Sequence, residues 1–229
     1  MNDRYQSLRT QGFGARAATT VIDVAAHRVL RNTYMLLAMT LGFSALTAGA
    51  SAALRLPHPG MLITLVGYFG LLFLVNKYRD RGLGVALVFA LTGFMGYTLG
   101  PVIGHYLNMP NGTQTVMMAM GGTAAIFLGL SGYALVSKRD MTFMGGFLTV
   151  GVLVAFLAGL AAIFFQVPAL SLAVSAVFVL LMSGMILFET SNIVRGGETN
   201  YVMATLSLYV SIFNLFTSLL HLLGFANNE

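Results

Sequence analysis

Glu189 stands in the stretch SGMILFETSNIVRGGETNY, residues 183–201, at the far end of an apolar run that begins near Leu170. It is the only acidic residue of the chain that falls inside such a run. Carrying a charge into hydrocarbon costs roughly 2.5–3.5 kcal/mol on insertion scales, so a side chain of this kind marks a functional site by default. Two kinds of chemistry suit it. A carboxylate can hold and release a proton or a cation, or it can lock two helices together by pairing with a base. Arg195, Lys77 and Arg79 are the bases expected on the same side of the membrane. A pairing with one of them that protonation loosens would make a pH-dependent gate.

The last apolar run gives the carboxylate a surface to face. In SLYVSIFNLFTSLLHLLG the polar residues Ser207, Ser211, Asn214, Ser218 and His221 recur at steps of four, three, four and three, one face of a helix. In a bilayer such a stripe must face protein or water. It reads either as interhelical hydrogen bonding or as a narrow polar path or cation site. In the second case Ser211 and Asn214 line it and Glu189 closes it.

Other chemistry is poorly supplied. There is no cysteine, so thiol catalysis, disulfides and thiolate-bound metals are excluded. The four histidines, His27, His58, His105 and His221, are scattered and form no ligand pattern, so no metal and no cofactor is expected. No catalytic motif stands out, and an enzyme is not expected. A net charge of +5 with no dense basic run speaks against nucleic acid.

The elements that must position Glu189 are membrane helices. Of 229 residues 57% are hydrophobic and 8% charged, against about 25% charged in a soluble domain. Apolar runs at 33–54, 60–76, 83–106, 115–137, 142–164, 169–190 and 201–224 are long enough to span a bilayer. The connections are short, so consecutive helices run antiparallel and form one all-α bundle over residues 33–224. Residues 1–32 read as a polar, weakly structured cytosolic tail with a short amphipathic stretch at VIDVAAHRVL, and 225–229 as a short C-terminal tail. Placing the N-terminus in the cytosol puts Arg4, Arg9, Arg16, Arg28, Arg31, Lys77, Arg79, Arg81, Lys138, Arg139 and Arg195 on the cytosolic side and leaves Arg55 outside. The C-terminus then lies outside, unless the last run is re-entrant.

Gly96, Gly100 and Gly104 repeat at the spacing that lets another backbone approach, and Pro101 among them predicts a bend. Gly121, Gly122, Gly129 and Gly132 read the same way.

Several of these segments resemble the Bax inhibitor family, and within it the proteobacterial inner-membrane branch, the YccA-like proteins. They are VLRNTYMLLAMTLGFSALTA, GGTAAIFLGLSGYALVSKRDMTFMGGFL, FETSNIVRGGETNYVMATLSLYVSIFNLF and LLGFA. The resemblance implies seven transmembrane helices, six surrounding a central last one, in a bacterial inner membrane. Some members are pH-sensitive calcium leak channels in which two aspartates share a proton. Here the matching positions are Glu189 and Ser211, and a serine cannot share a proton as a second carboxylate does. Calcium as a transported ion is thereby weakened. The YccA-like branch implies instead an inhibitor or competing substrate of the membrane-anchored protease FtsH. Residues 1–28 would be the segment the protease engages.

Overall fold

The computed structural model describes residues 3–137 and 139–227, with side chains from residue 25 onward. The side chains of the tail before residue 25, those of Arg4, Arg9 and Arg16 among them, lie outside what is described, as does Lys138. Seven helices follow one another: α1 Asp3–Ala53, α2 Met61–Tyr78, α3 Gly82–Leu107, α4 Gly112–Ser137, α5 Met144–Phe164, α6 Pro168–Val194 and α7 Tyr201–Ala226. All seven contain a stretch long and apolar enough to cross a membrane. The chain is an all-α bundle of membrane-spanning helices.

The helix of the first span continues on the N-terminal side of the apolar run at residue 33. No proline precedes Pro57, so nothing breaks the helix there. Ala26, Thr33, Leu36, Leu37, Thr40 and Ser44 are buried at helical spacing, while Arg28 and Arg31 project from the exposed side. Those two charges lower the local hydropathy without interrupting the packed face.

The most buried span is α7, which packs against α1, α3, α4 and α6. Tyr209, Leu208, Leu215 and Leu220 are fully buried along it. The most extensive helix–helix interface is that of α1 with α3, while α2 leans on α3 and α5 on α6. Gly96 and Gly100 explain the closeness of α1 and α3. A Cβ at Gly96 would collide with Thr47 and the Ser44 carbonyl, and one at Gly100 with Ser51 and the Ala48 carbonyl. Gly104 has open space at the same position, as do Gly121, Gly129 and Gly132. Close approach therefore accounts for the first two glycines and not for the others.

Pro101 lies inside α3, which continues through it. Proline cannot donate to the carbonyl four residues back, that of Tyr97. Ser51 on α1 supplies the missing donor, its hydroxyl reaching Tyr97 O at 3.0 Å. A hydroxyl from a neighbouring helix thus replaces the lost backbone bond.

One end of the bundle carries the α2–α3, α4–α5 and α6–α7 loops and most of the basic residues, and is called the basic end below. These loops are knitted together. Asn200 caps α7 by accepting from Val202 N and Met203 N, and its amide donates to Asp80 Oδ1 at 2.8 Å. Ser191 Oγ donates to Arg139 O at 2.8 Å. Arg195 Nη2 stands 3.1 Å from Asp140 Oδ2. Asp140 also accepts from the hydroxyl and the backbone N–H of Thr142. Those hydrogen bonds, and then the Arg195 charge, hold its carboxyl below the ordinary value of 3.8.

Two outcomes follow from these contacts. Ser51→Ala should lower stability in detergent by about 1–2 kcal/mol, because it orphans a buried carbonyl. In a Pro101→Ala background, where the backbone donor returns, the same change should cost about 1 kcal/mol less; a double-mutant cycle by denaturant unfolding measures the coupling. At the loop, Asp140 has a depressed folded pKa, so its contribution is present above its unfolded value and is lost as pH falls through the folded one. Asp140→Asn should therefore melt below the wild type at neutral pH. The difference should shrink as pH falls below the ordinary aspartate value and through the depressed folded one.

Candidate functional site

Glu189 lies on α6 five residues before its end, about 7.5 Å along the axis. Gly196, at φ 75°, takes the left-handed conformation that stops the helix there. The carboxylate is 9% exposed, inside the membrane span but near its basic end. Across from it, on α7, the hydroxyl of Ser207 donates to it, and Glu198 in the α6–α7 loop is a like-charged neighbour.

The arrangement follows from depth. A six-residue loop returns the chain antiparallel, so positions on α6 and α7 equally far from the turn meet. Ser207 lies six residues into α7, matching Glu189. Ser211 lies a further turn in, about 6 Å deeper. It is buried, but the hydroxyl at the carboxylate belongs to Ser207. Asn214 donates to the carbonyl of Val210 on its own helix at 2.8 Å.

The three bases proposed as ion-pair partners are engaged elsewhere. Arg195 is paired with Asp140 and Arg79 with Asp80, while Lys77 lies 5.6 Å from the centre of the Tyr78 ring. Among the described residues Glu189 makes no ion pair. Lys77 and Arg79 end α2, which leans on α3 at the side of the bundle, and Arg195 lies beyond the end of α6.

Thr190 and Ser191, next to Glu189, were not singled out in the sequence, yet they extend the site. Each successive helical residue turns by about 100°. Glu189 thus addresses α7, Thr190 addresses α1 and α4, and Ser191 addresses the α4–α5 loop. Thr190 Oγ1 lies 3.5 Å from Tyr34 Oη and 3.3 Å from Ser131 Oγ. The signal for this was the polar triplet ETS itself, three adjacent polar residues inside a span.

A separate cavity of about 1190 Å³ opens between α1, α3, α4 and α7 toward the opposite end. Tyr209 lines it, and neither Glu189, Ser211 nor Asn214 does. Ser44 donates to the Tyr209 hydroxyl at 2.6 Å, and Tyr209 donates to Thr92 O at 3.3 Å. This buried chain of hydrogen bonds stands between the cavity and the level of Ser207. Farther along the stripe, His221 Nδ1 meets Ser175 Oγ of α6 at 2.8 Å. Its two ends, Ser207 and His221, thus bond across to α6, while Asn214 and Thr217 satisfy themselves on their own helix.

Comparison with known proteins agrees with this architecture. The family model described as "Inhibitor of apoptosis-promoting Bax1" matches residues 26–228. The chain is 53% identical over 206 residues to the Escherichia coli K12 protein named "Modulator of FtsH protease YccA", covering 90% of this chain and 94% of that one. An uncharacterized protein of Pseudomonas aeruginosa is 53% identical over 201 residues, 88% of this chain and 90% of its own. An uncharacterized membrane protein of Vibrio cholerae is 45% identical over 215 residues, 93% and 96% of the two chains. The family match takes in six helices and the membrane span of α1, and on that extent this chain belongs to the Bax inhibitor family.

Proposed function

We propose that this protein modulates an FtsH-type membrane protease, in a bacterial inner membrane, as an inhibitor or competing substrate. The observation that carries the reading is the 53% identity, over nearly the whole of both chains, with a protein named for that activity.

In this reading the N-terminus is cytosolic and the C-terminus periplasmic. The excess of lysine and arginine at one end supports that orientation. The segment the protease engages is the N-terminal tail. It precedes the family-matched region, which starts at residue 26. The bundle is organised with α7 at the centre and six helices around it. Its burial and its contacts with α1, α3, α4 and α6 support this, with α2 and α5 completing the ring.

A second reading, a cation leak with calcium as a candidate cargo, is favoured by one observation. Glu189 is a buried carboxylate without an ion-pair partner among the described residues, held by a hydroxyl of the last helix. The path it requires passes Tyr209, so conduction needs the Ser44–Tyr209–Thr92 chain to open.

The readings separate by variant. Removing residues 2–22 leaves the span from Ala25 intact. It should reduce recovery of the protease with a tagged copy, after mild cross-linking in native membranes, by at least about tenfold, or about 1.4 kcal/mol of association. Recovery undiminished by the deletion would remove the tail from the interface. Recovery of no protease by the full-length chain would sink the modulator reading itself. Glu189→Gln should leave that recovery unchanged and, if the protein conducts, cut calcium flux into proteoliposomes by about tenfold. Wild-type flux equal to that of empty vesicles would end the leak reading.

A further inference from the structure

The basic end of the bundle holds a second pocket, of about 630 Å³, between α1 and α4. His27, Arg28, Leu30, Arg31 and Tyr34 of α1 and Leu135 of α4 line it. We propose that this pocket binds the phosphate headgroup of an anionic phospholipid.

Charge is the first argument. Arg28 and Arg31 lie three residues apart on one face of α1, and both are exposed. Neither is ion-paired among the described residues. The described carboxylates at this end are engaged elsewhere, Asp80 with Arg79, Asp140 with Arg195, Glu198 with Asn200 N and Glu189 with Ser207. Two guanidinium groups beside one cavity, neither paired with a described carboxylate, suit a phosphodiester, whose oxygens accept from the guanidinium fork in pairs.

Position is the second. The lining residues of α1, 27–34, adjoin the apolar run that begins at residue 33, and Leu135 is two residues from the end of α4, the depth at which headgroups meet hydrocarbon. Leu30 and Leu135 give the pocket apolar walls beside the arginines, as the glycerol and first methylenes of a lipid require. No extensive interface joins α1 and α4, so the pocket is a gap between helices that a lipid can enter from the bilayer. Basic pockets between spans of this kind hold anionic headgroups, each arginine adding about 1 kcal/mol. Tyr34 ties the pocket to the candidate site: it lines the one, and its hydroxyl lies 3.5 Å from Thr190, next to Glu189 in the other.

The test is native mass spectrometry of the full chain in neutral detergent, titrated in turn with cardiolipin, phosphatidylglycerol, phosphatidylethanolamine and inorganic phosphate. The wild type should retain one anionic lipid per chain. Arg28→Gln with Arg31→Gln should weaken that retention about thirtyfold. The corresponding pair of lysine substitutions should restore most of it, and Arg55→Gln, at the opposite end, should change nothing. Equal retention of phosphatidylethanolamine, or unchanged affinity in the double glutamine variant, would overturn the proposal. Displacement of the lipid by inorganic phosphate at comparable concentration would overturn it too, by making a free anion the occupant. A readout independent of the arginine variants is available because the chain has no tryptophan. Leu135→Trp should be quenched more strongly by brominated phosphatidylglycerol than by brominated phosphatidylcholine, and equal quenching by the two would count against the site.

Discussion

A bilayer core offers no hydrogen-bond partner, so every polar group carried into it has to be satisfied by the bundle itself. Much of the structure follows from that constraint. Thr40, Thr98, Thr123, Ser183 and Thr217 turn their hydroxyls back onto carbonyls three or four residues earlier and ask nothing of a neighbour. A few polar groups are used across helices instead. Ser51 repairs the carbonyl freed by Pro101, Ser44 and Tyr209 join α1 to α7 and α3, and Thr190 joins α6 to α1 and α4. These cross-links are directional, and so they fix helix register in a way that lipid-like side chains cannot. Among the described residues Thr33 is the exception, its hydroxyl buried without a partner while its carbonyl accepts from Thr205.

The same constraint explains how far the sequence could be read. Seven spans were legible because their apolar runs are long and the loops between them short. That the helix of α1 continues through Arg28 and Arg31 was not legible, since both sit on its exposed side and hydropathy averages over all sides. The polar stripe of α7 was legible from its spacing alone. Its partners were not, because which residue of α7 meets Glu189 depends on relative depth across the turn, which places Ser207 there and Ser211 a turn deeper. The glycines make the point most sharply. Gly96 and Gly100 admit a neighbouring backbone, whereas Gly121, Gly129 and Gly132, equally glycine, face open space. Periodicity within one helix states which residues share a face, and only the neighbours decide what that face meets.

Glu189 also illustrates why a rare charge and a functional one are different inferences. Its cost is moderated by shallow depth and by Ser207, and among the described residues no base is paired with it. The described loop charges instead hold one another, Asp140 with Arg195 and Asp80 with Arg79 and Asn200.

The modulator reading places different demands on the fold. A processive protease that grips an N-terminal segment must next extract α1. That helix is not the loosest element: it shares the most extensive interface in the bundle, closed over Gly96 and Gly100, where Thr47, Ser51 and the Ser44 and Ala48 carbonyls pack directly on the α3 backbone. Pulling it away also exposes the Tyr97 carbonyl that Ser51 satisfies, breaks the Ser44–Tyr209 bond and separates Tyr34 from Thr190. Each of these groups would be left unpaired in hydrocarbon. On the proposed reading, a gripped segment continuous with a helix that is hard to remove would occupy a protease for longer than it feeds it. That resistance would lie in α1 and α3 and would not require Glu189 to take part.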